Sequence, residues 1–272
     1  MIIDAFPFFQ EVDLLKVRLE FLGKHVDRFI ISESSVDFSG KPKKLLLGPE
    51  QLVDLPYSDK IHVVRSSASF FQQKILYPMS KRLKWRYPLW QIQSKQRNVI
   101  FKKVSELDTE GTFFFGDLDE FPEPIKILRC DAKAINNSSF LIALKQSSRV
   151  YNLKTQDSEV GWRGTMVCSL KVAKKTLPNT LRKMRFSSNA LSCGWHFSYF
   201  GGEKQVRNKI ESISAVEKHF NLDAKSEFIS KRINSKVNPF SSFGATAVNV
   251  PLSEYPTDLL ECFQMHMPSA LG

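Results

Sequence analysis

The chain contains no apolar run approaching the ~18 residues that a membrane-spanning helix requires. Its opening, MIIDAFPFF, reads as a strand with no basic leader or small-residue cleavage site before it. The expectation is a protein that works in the cytosol or one that has been cut from a longer chain. Cysteine is scarce, and Cys130, Cys168, Cys193 and Cys262 stand far apart with no C-x-x-C pair. That spacing argues against a zinc site and a disulfide framework, and it predicts free, mostly buried thiols in a reducing compartment. The chain also lacks G-x-G-x-x-G, a Walker A loop, G-x-S-x-G and H-E-x-x-H. Rossmann oxidoreductases, P-loop enzymes, serine hydrolases and zincins are thereby disfavoured. No internal repeat or low-complexity linker divides the 272 residues. One domain is expected over residues 1–238, with 239–272 as an extension packed on it.

What is present suits a large core. Hydrophobic residues make up 42% of the chain, with 22 Phe, enough to bury a sizeable interior. The formal charge of +11 favours anionic partners, such as nucleotide phosphates, anionic lipid head groups or nucleic acid. Basic stretches occur at Lys41–Lys44, Lys81–Arg86, Lys171–Lys175 and Arg182–Arg185. The stretch from Lys81 to Tyr87 interleaves basic residues with aromatics. It fits an anionic membrane surface, single-stranded nucleic acid, or a solvated helix face with a few buried aromatics.

Periodicity supplies the elements. Residues 2–6 form a short apolar strand, and the apolar positions from Glu11 to Leu22 make a broad helical stripe stopped by Gly23. Residues 26–31 form a second strand, so a right-handed crossover and a parallel sheet are implied. Arg18 shares the stripe with Leu14 and Leu22 and needs a buried acid, for which Asp4 and Glu33 are candidates. A polar loop over 36–44, a strand at 60–65, an excursion over 66–88 and a helix over 89–107 follow. Further strands are expected at 139–144, 150–153 and 191–200, then helices at 203–218 and 223–234, with a loop-rich tail from Pro239.

The chemistry concentrates at Asp117-Leu118-Asp119-Glu120-Phe121-Pro122, directly after the apolar Phe113-Phe114-Phe115-Gly116. Ligand sites in open α/β sheets lie at the carboxyl ends of the strands. Asp117 and Asp119, two apart, can turn towards one divalent cation, and carboxylate oxygens suit Mg²⁺ or Mn²⁺. The alternative is an acidic turn capping a helix announced by Pro122 and Pro124. His196 is a candidate third ligand or else a satisfied core histidine. Gln93, Gln96 and Arg97 share one helix, and Arg97 can clamp a pyrophosphate or pair with Glu120. Glu33, Gln93, Arg97 and Asp117 are the candidate donor contacts. A general base for group transfer is sought among Glu120, Asp157, Glu159 and Glu203.

These blocks together resemble glycosyltransferase family 17. The resemblance rests on DAFPFFQEVDLLKVRLEFL, VDRFIISESSVDFSGKPKKL, Gln96-Arg97-Asn98, GDLDEFP and GWHFSYFGG followed by Lys209-Ile210, in order over about residues 2–235. It implies an inverting transferase on a GT-A-like α/β fold, with a mostly parallel central sheet flanked by helices and a helical C-terminal part. The donor would be a nucleotide sugar, UDP-GlcNAc in the known animal members. Asp117 and Asp119 would hold Mn²⁺ or Mg²⁺ on its diphosphate. Gln10 and Ala215 depart from the family pattern, where Asn and His are usual, and the second departure points to a different acceptor side. The animal members carry a membrane anchor and lumenal disulfides. Without these, a glycan or lipid-linked glycan met at the cytosolic face fits better than a protein N-glycan, with peripheral contact to an anionic membrane and no nucleic acid. The competing class is a non-catalytic nucleotide-sugar or nucleic-acid binding protein. A phosphotransferase with a nucleophilic Asp117 is disfavoured by Phe121.

Overall fold

The computed structural model describes residues 1–83, 87–108, 110–137, 139–157, 161–203, 205–207, 209, 230, 234–235 and 247–272. Glu159, Ala215 and most of the two helices expected over 203–234 lie outside them. A ten-stranded sheet forms the centre. Its first half is β1 (Ile2–Phe8), β2 (Arg28–Ser34), β3 (Ile61–Ser66) and β4 (Thr112–Phe115), in the spatial order β3-β2-β1-β4 with every pairing parallel. The crossovers run through α1 (Val12–Leu22), α2 (Pro49–Val53), α3 (Tyr77–Arg82) and α4 (Tyr87–Ser105).

The second half departs from the mostly parallel expectation. Here β5 (Glu120–Phe121), α5 (Pro124–Asn136), β6 (Leu141–Val150), β7 (Thr155–Asp157), β8 (Trp162–Ser169), α6 (Leu170–Ala173), α7 (Pro178–Lys183), β9 (Ala190–Ser198) and β10 (Ala247–Asn249) follow. β8 joins β4 antiparallel and continues through β6 and β7 to β10, also antiparallel, and β5 pairs antiparallel with β9; among the described strands of this half, β6 and β9 alone pair in parallel. Short connections, such as the turn between β6 and β7, allow the chain only to reverse, so the sheet is mixed. It remains an α/β fold flanked by helices. One strand also replaces the two expected at 139–144 and 150–153, ending where Tyr151 turns to positive φ.

Strand pleating divides the apolar side chains between two layers. Ile2, Phe6 and Phe8 of β1, with Phe29, Ile31 and Phe114, face the core shared with α1. Ile3, Ala5, Ile30, Phe113 and Phe115 face the opposite core with Ile100 and Val104 of α4. Residues from the tail, including Leu259 and Phe263 of α8 (Thr257–His266), enter the first core. All four cysteines are buried and unpaired. No helix among the described residues is long and apolar enough to cross a membrane.

Arg18 is fully buried on α1 and finds its acid in Asp4, with bonds of 2.8 and 2.7 Å. Glu33 is not its partner. Its buried carboxylate accepts from the Leu46 and Leu47 amides at 2.7 and 3.2 Å and pairs with Lys43 and Arg65. Removing one member of a buried ion pair strands the other, at a cost of about 3–5 kcal/mol. Asp4→Ala is therefore expected to lose stability of about that size in urea unfolding; a loss below about 1 kcal/mol, the range of a surface pair, would contradict the assignment.

Candidate active site at the end of strand β4

The acidic turn is held from below. Arg18 Nη1 donates to the carbonyl oxygens of Leu118 (3.1 Å) and Glu120 (2.6 Å), fixing the backbone after β4 to the buried Asp4. The Glu120 side chain then turns inward. Its carboxylate is fully buried and accepts from Trp162 Nε1 (2.6 Å), the Asp117 amide (3.0 Å), and Arg182 Nη1 and Nη2 (3.0 and 2.8 Å). Two glycines make room for it. A Cβ at Gly116 would lie 2.6 Å from Glu120 Oε2, and one at Gly164 would lie 2.5 Å from its Cδ.

The two aspartates face different cations. Asp117 is paired with Arg97 of α4 at 3.2 Å and with Arg182 of α7 at 2.5 Å. Burial raises its pKa, but the Arg182 and Arg97 charges outweigh that and hold the carboxyl below the usual range. Asp119 is paired with Lys209 at 2.8 Å and lies 3.7 Å from His196 Nε2. Burial again opposes the shift, yet Lys209 and then His196 hold this carboxyl far below the ordinary value. Lys209 also approaches Glu11, at the start of α1, at 3.6 Å. His196 stands opposite Glu120 in the β5–β9 register and stacks on Trp162, with ring centroids 4.5 Å apart.

Arg185 completes the group. Its guanidinium packs 5.1 Å from the Trp162 ring centroid and 4.7 Å from that of Phe186. Burial, and then the neighbouring Arg182, push its pKa down to about 10. Among the described residues it has no ion pair, and Arg97 and Arg182 each keep a buried Nε–H without an acceptor. A cation that is partly desolvated and under-compensated favours an incoming anion.

The donor set does not fit a bound divalent ion in this arrangement. Asp117 turns to Arg97 and Arg182, whereas Asp119 turns to Lys209 and His196. No three His, Cys, Asp or Glu side chains converge among the described residues. Of the expected ligands, Asp119 and His196 lie side by side, while Asp117, nearby in the same turn, is directed to Arg97 and Arg182.

The family model for glycosyltransferase family 17 matches residues 1–237. The chain belongs to glycosyltransferase family 17. No curated protein matches it. Among solved structures it is similar to S. aureus TarS 1–349, at 13% identity over 99% of this chain and 81% of that one, with a TM-score of 0.41. It is also similar to the inositol-1-phosphate CTP transferase from T. maritima, at 13% identity over 88% and 98% of the two chains, with a TM-score of 0.37. Both likenesses are distant, and the family assignment rests on the sequence match.

Within this glycosyltransferase, the expected site residues separate into two sets. Asp117, Asp119, Glu120, Arg97 and His196 come together, with Arg97 on Asp117 rather than on Glu120. Gln93 lies one turn before Arg97 on α4, half-buried. Glu120 is bonded to Arg182 and Trp162 and through them positions the site. Glu33 anchors the loop over 43–47, and Asp157 stands on β7, separated from β4 by β6 and β8. Glu203 is an exposed partner of Arg207. Arg182, Arg185, Trp162 and Lys209 were not among the expected site residues. The basic run Arg182–Arg185 and the Lys209-Ile210 pair were local signals for three of them, and Trp162 lies on β8.

A carboxyl depressed in the folded state contributes stability that is present above its unfolded pKa of ~4 and is lost as pH falls below it. In Lys209→Met, Asp119 keeps its burial and loses its main cation. The variant is expected to be less stable at neutral pH and to lose stability less steeply below pH ~4, as followed by urea unfolding across pH. An acid slope equal to wild type would contradict the Asp119–Lys209 pairing.

Proposed function

We propose that this glycosyltransferase takes its sugar from a nucleotide diphosphate donor, UDP-GlcNAc or a close relative, and passes it with inversion to a hydroxyl of a glycan or lipid-linked glycan. In such a transfer the acceptor oxygen forms a bond to the anomeric carbon. The bond to the diphosphate breaks, and its electron pair leaves with the phosphate. The demand on the protein is to stabilise that developing negative charge. Arg185 is the observation that carries this reading: a half-buried guanidinium, without an ion pair among the described residues, beside Arg97, Arg182 and the end of β4. Arg182 and Arg97 are held in place by Asp117 and Glu120, so the charge around the phosphates is set before the donor arrives. Asp117 and Asp119 are poor proton acceptors, since both carboxyls are held below the usual range. Their part is electrostatic, and the proton from the acceptor hydroxyl goes to another group. Mn²⁺ or Mg²⁺, expected from the Asp-x-Asp pattern, has no step here, because the protein's own cations occupy both carboxylates.

Calorimetric titration with UDP-GlcNAc and UDP tests this directly. Arg185→Met is expected to weaken donor binding about tenfold, the size of one lost charge-assisted bond, while thermal stability stays near wild type. Most of the wild-type affinity is expected to persist in EDTA. Unchanged affinity in Arg185→Met, or donor binding that vanishes without Mn²⁺, would overturn the reading.

A further inference from the structure

A second feature lies outside the site. Between Asp59 and Glu106 the chain has no acidic residue and eleven Lys or Arg. Within this stretch a helical run extends from Phe70 to Arg82, opening with a π turn over Gln72–Leu76 and continuing as α3. Its inner side docks firmly. Tyr77 is buried with Val36, Leu89 and Ile92, Leu76 and Phe38 pack against that group, and Ser80 is buried. Its outer side carries apolar residues at every fourth position: Phe71, Ile75, Met79 and, just past its end, Leu83, exposed by 57%, 50%, 42% and 64%. Phe70 is 76% exposed beside them.

Lys74 and Arg82 are exposed on the same run, and Lys81, Lys84 and Arg86 share its sequence. A solvated helix would place polar side chains on this face. A row of large apolar residues in a stretch of sequence whose only charges are positive instead matches a helix lying in a bilayer interface, with apolar side chains among the acyl chains and cations at anionic head groups. The absence of any acid over the whole stretch supplies the charge complementarity.

We propose that the segment Phe70–Leu83 docks this protein on anionic lipid membranes. The place in the fold is consistent with a use. The segment packs on Val36 and Phe38, in the loop that leaves the carboxyl end of β2, and Phe38 stacks on Phe9 just after β1 at 5.2 Å. Asp117 follows the carboxyl end of β4, at the same edge of the parallel strands. Docking through this face would bring the catalytic edge towards a lipid-linked acceptor. That consequence rests on the proposed function; the docking itself does not depend on it.

Co-sedimentation of the full chain with vesicles of phosphatidylcholine alone, or mixed with phosphatidylglycerol, separates the cases. The protein is expected to bind the mixed vesicles and not the neutral ones, and to be released as salt rises from about 0.1 to about 0.5 M. Ile75→Asp with Met79→Asp is expected to reduce binding about tenfold or more, with circular dichroism, melting temperature and UDP-GlcNAc binding unchanged. Lys74→Glu is expected to cost about fivefold or more. Binding to both vesicle types alike, no binding, or full binding by the Ile75/Met79 variant would overturn the proposal. So would a dimer in light scattering that the same variant dissolves while vesicles remain unbound.

Discussion

A buried arginine sets the geometry on which the rest of the site depends. Arg18 reaches from α1 beneath the end of β4, between the rings of Phe6 and Phe121 at 4.6 and 5.4 Å, and spends its donors on Asp4 and on the carbonyls of Asp117, Leu118 and Glu120 in the acidic turn. Burying a guanidinium is costly unless its hydrogen bonds are met. Here they are met by one carboxylate and by carbonyls of the acidic turn. The turn is therefore held in a single path, with Glu120 directed inward and Asp117 and Asp119 directed to cations on neighbouring elements.

Charge in the site is arranged in layers. Asp4 neutralises Arg18 at the bottom. Glu120, above it, neutralises Arg182, which also reaches Asp117. Lys209 sits on Asp119. Each carboxylate thus fixes a cation, and the cations converge from α4, from α7 and from the chain after β9. Among the described residues Arg185 is the member left over, and on the proposed reading its half-buried position beside Trp162 makes the ion-pair network a receptor for phosphate. Proteins place preorganised charge where charge develops in a reaction, and a leaving diphosphate is such a group.

Much of this was legible in the sequence, because the signals were local. The short apolar strands, the α1 stripe and the acid needed by Arg18 follow from side-chain period and the cost of an unpaired buried charge. The acidic turn stood out as a carboxylate cluster directly after a four-residue apolar strand. The partners of that turn were less visible, since Arg182 and Lys209 lie 65 and 90 residues from the aspartates they contact. Nothing in local pattern couples such positions. β6 was split in two because Lys145, Gln146, Ser147 and Ser148 interrupt its apolar run; in the fold Gln146 and Arg149 are buried, Arg149 by bonding to Tyr255 and Glu254 of the tail. Tertiary context overrode the polar pattern there, as it did for the antiparallel half of the sheet.

The two basic features divide the chain's positive excess between an internal and an external role. On the proposed readings, guanidinium groups inside the site meet a soluble anion, and the segment Phe70–Leu83, within the acid-free stretch from Lys60 to Ser105, offers an apolar row to a membrane. The claim at the centre is that the end of β4 receives a nucleotide diphosphate through Arg185 and its neighbours. A crystal structure with UDP bound tests it most directly. The account predicts diphosphate oxygens within hydrogen-bonding distance of Arg185 and of Arg97 or Arg182, with Glu120 still buried against Arg182. A diphosphate bound away from the end of β4, or one held there while Arg185 faces solvent, would contradict it.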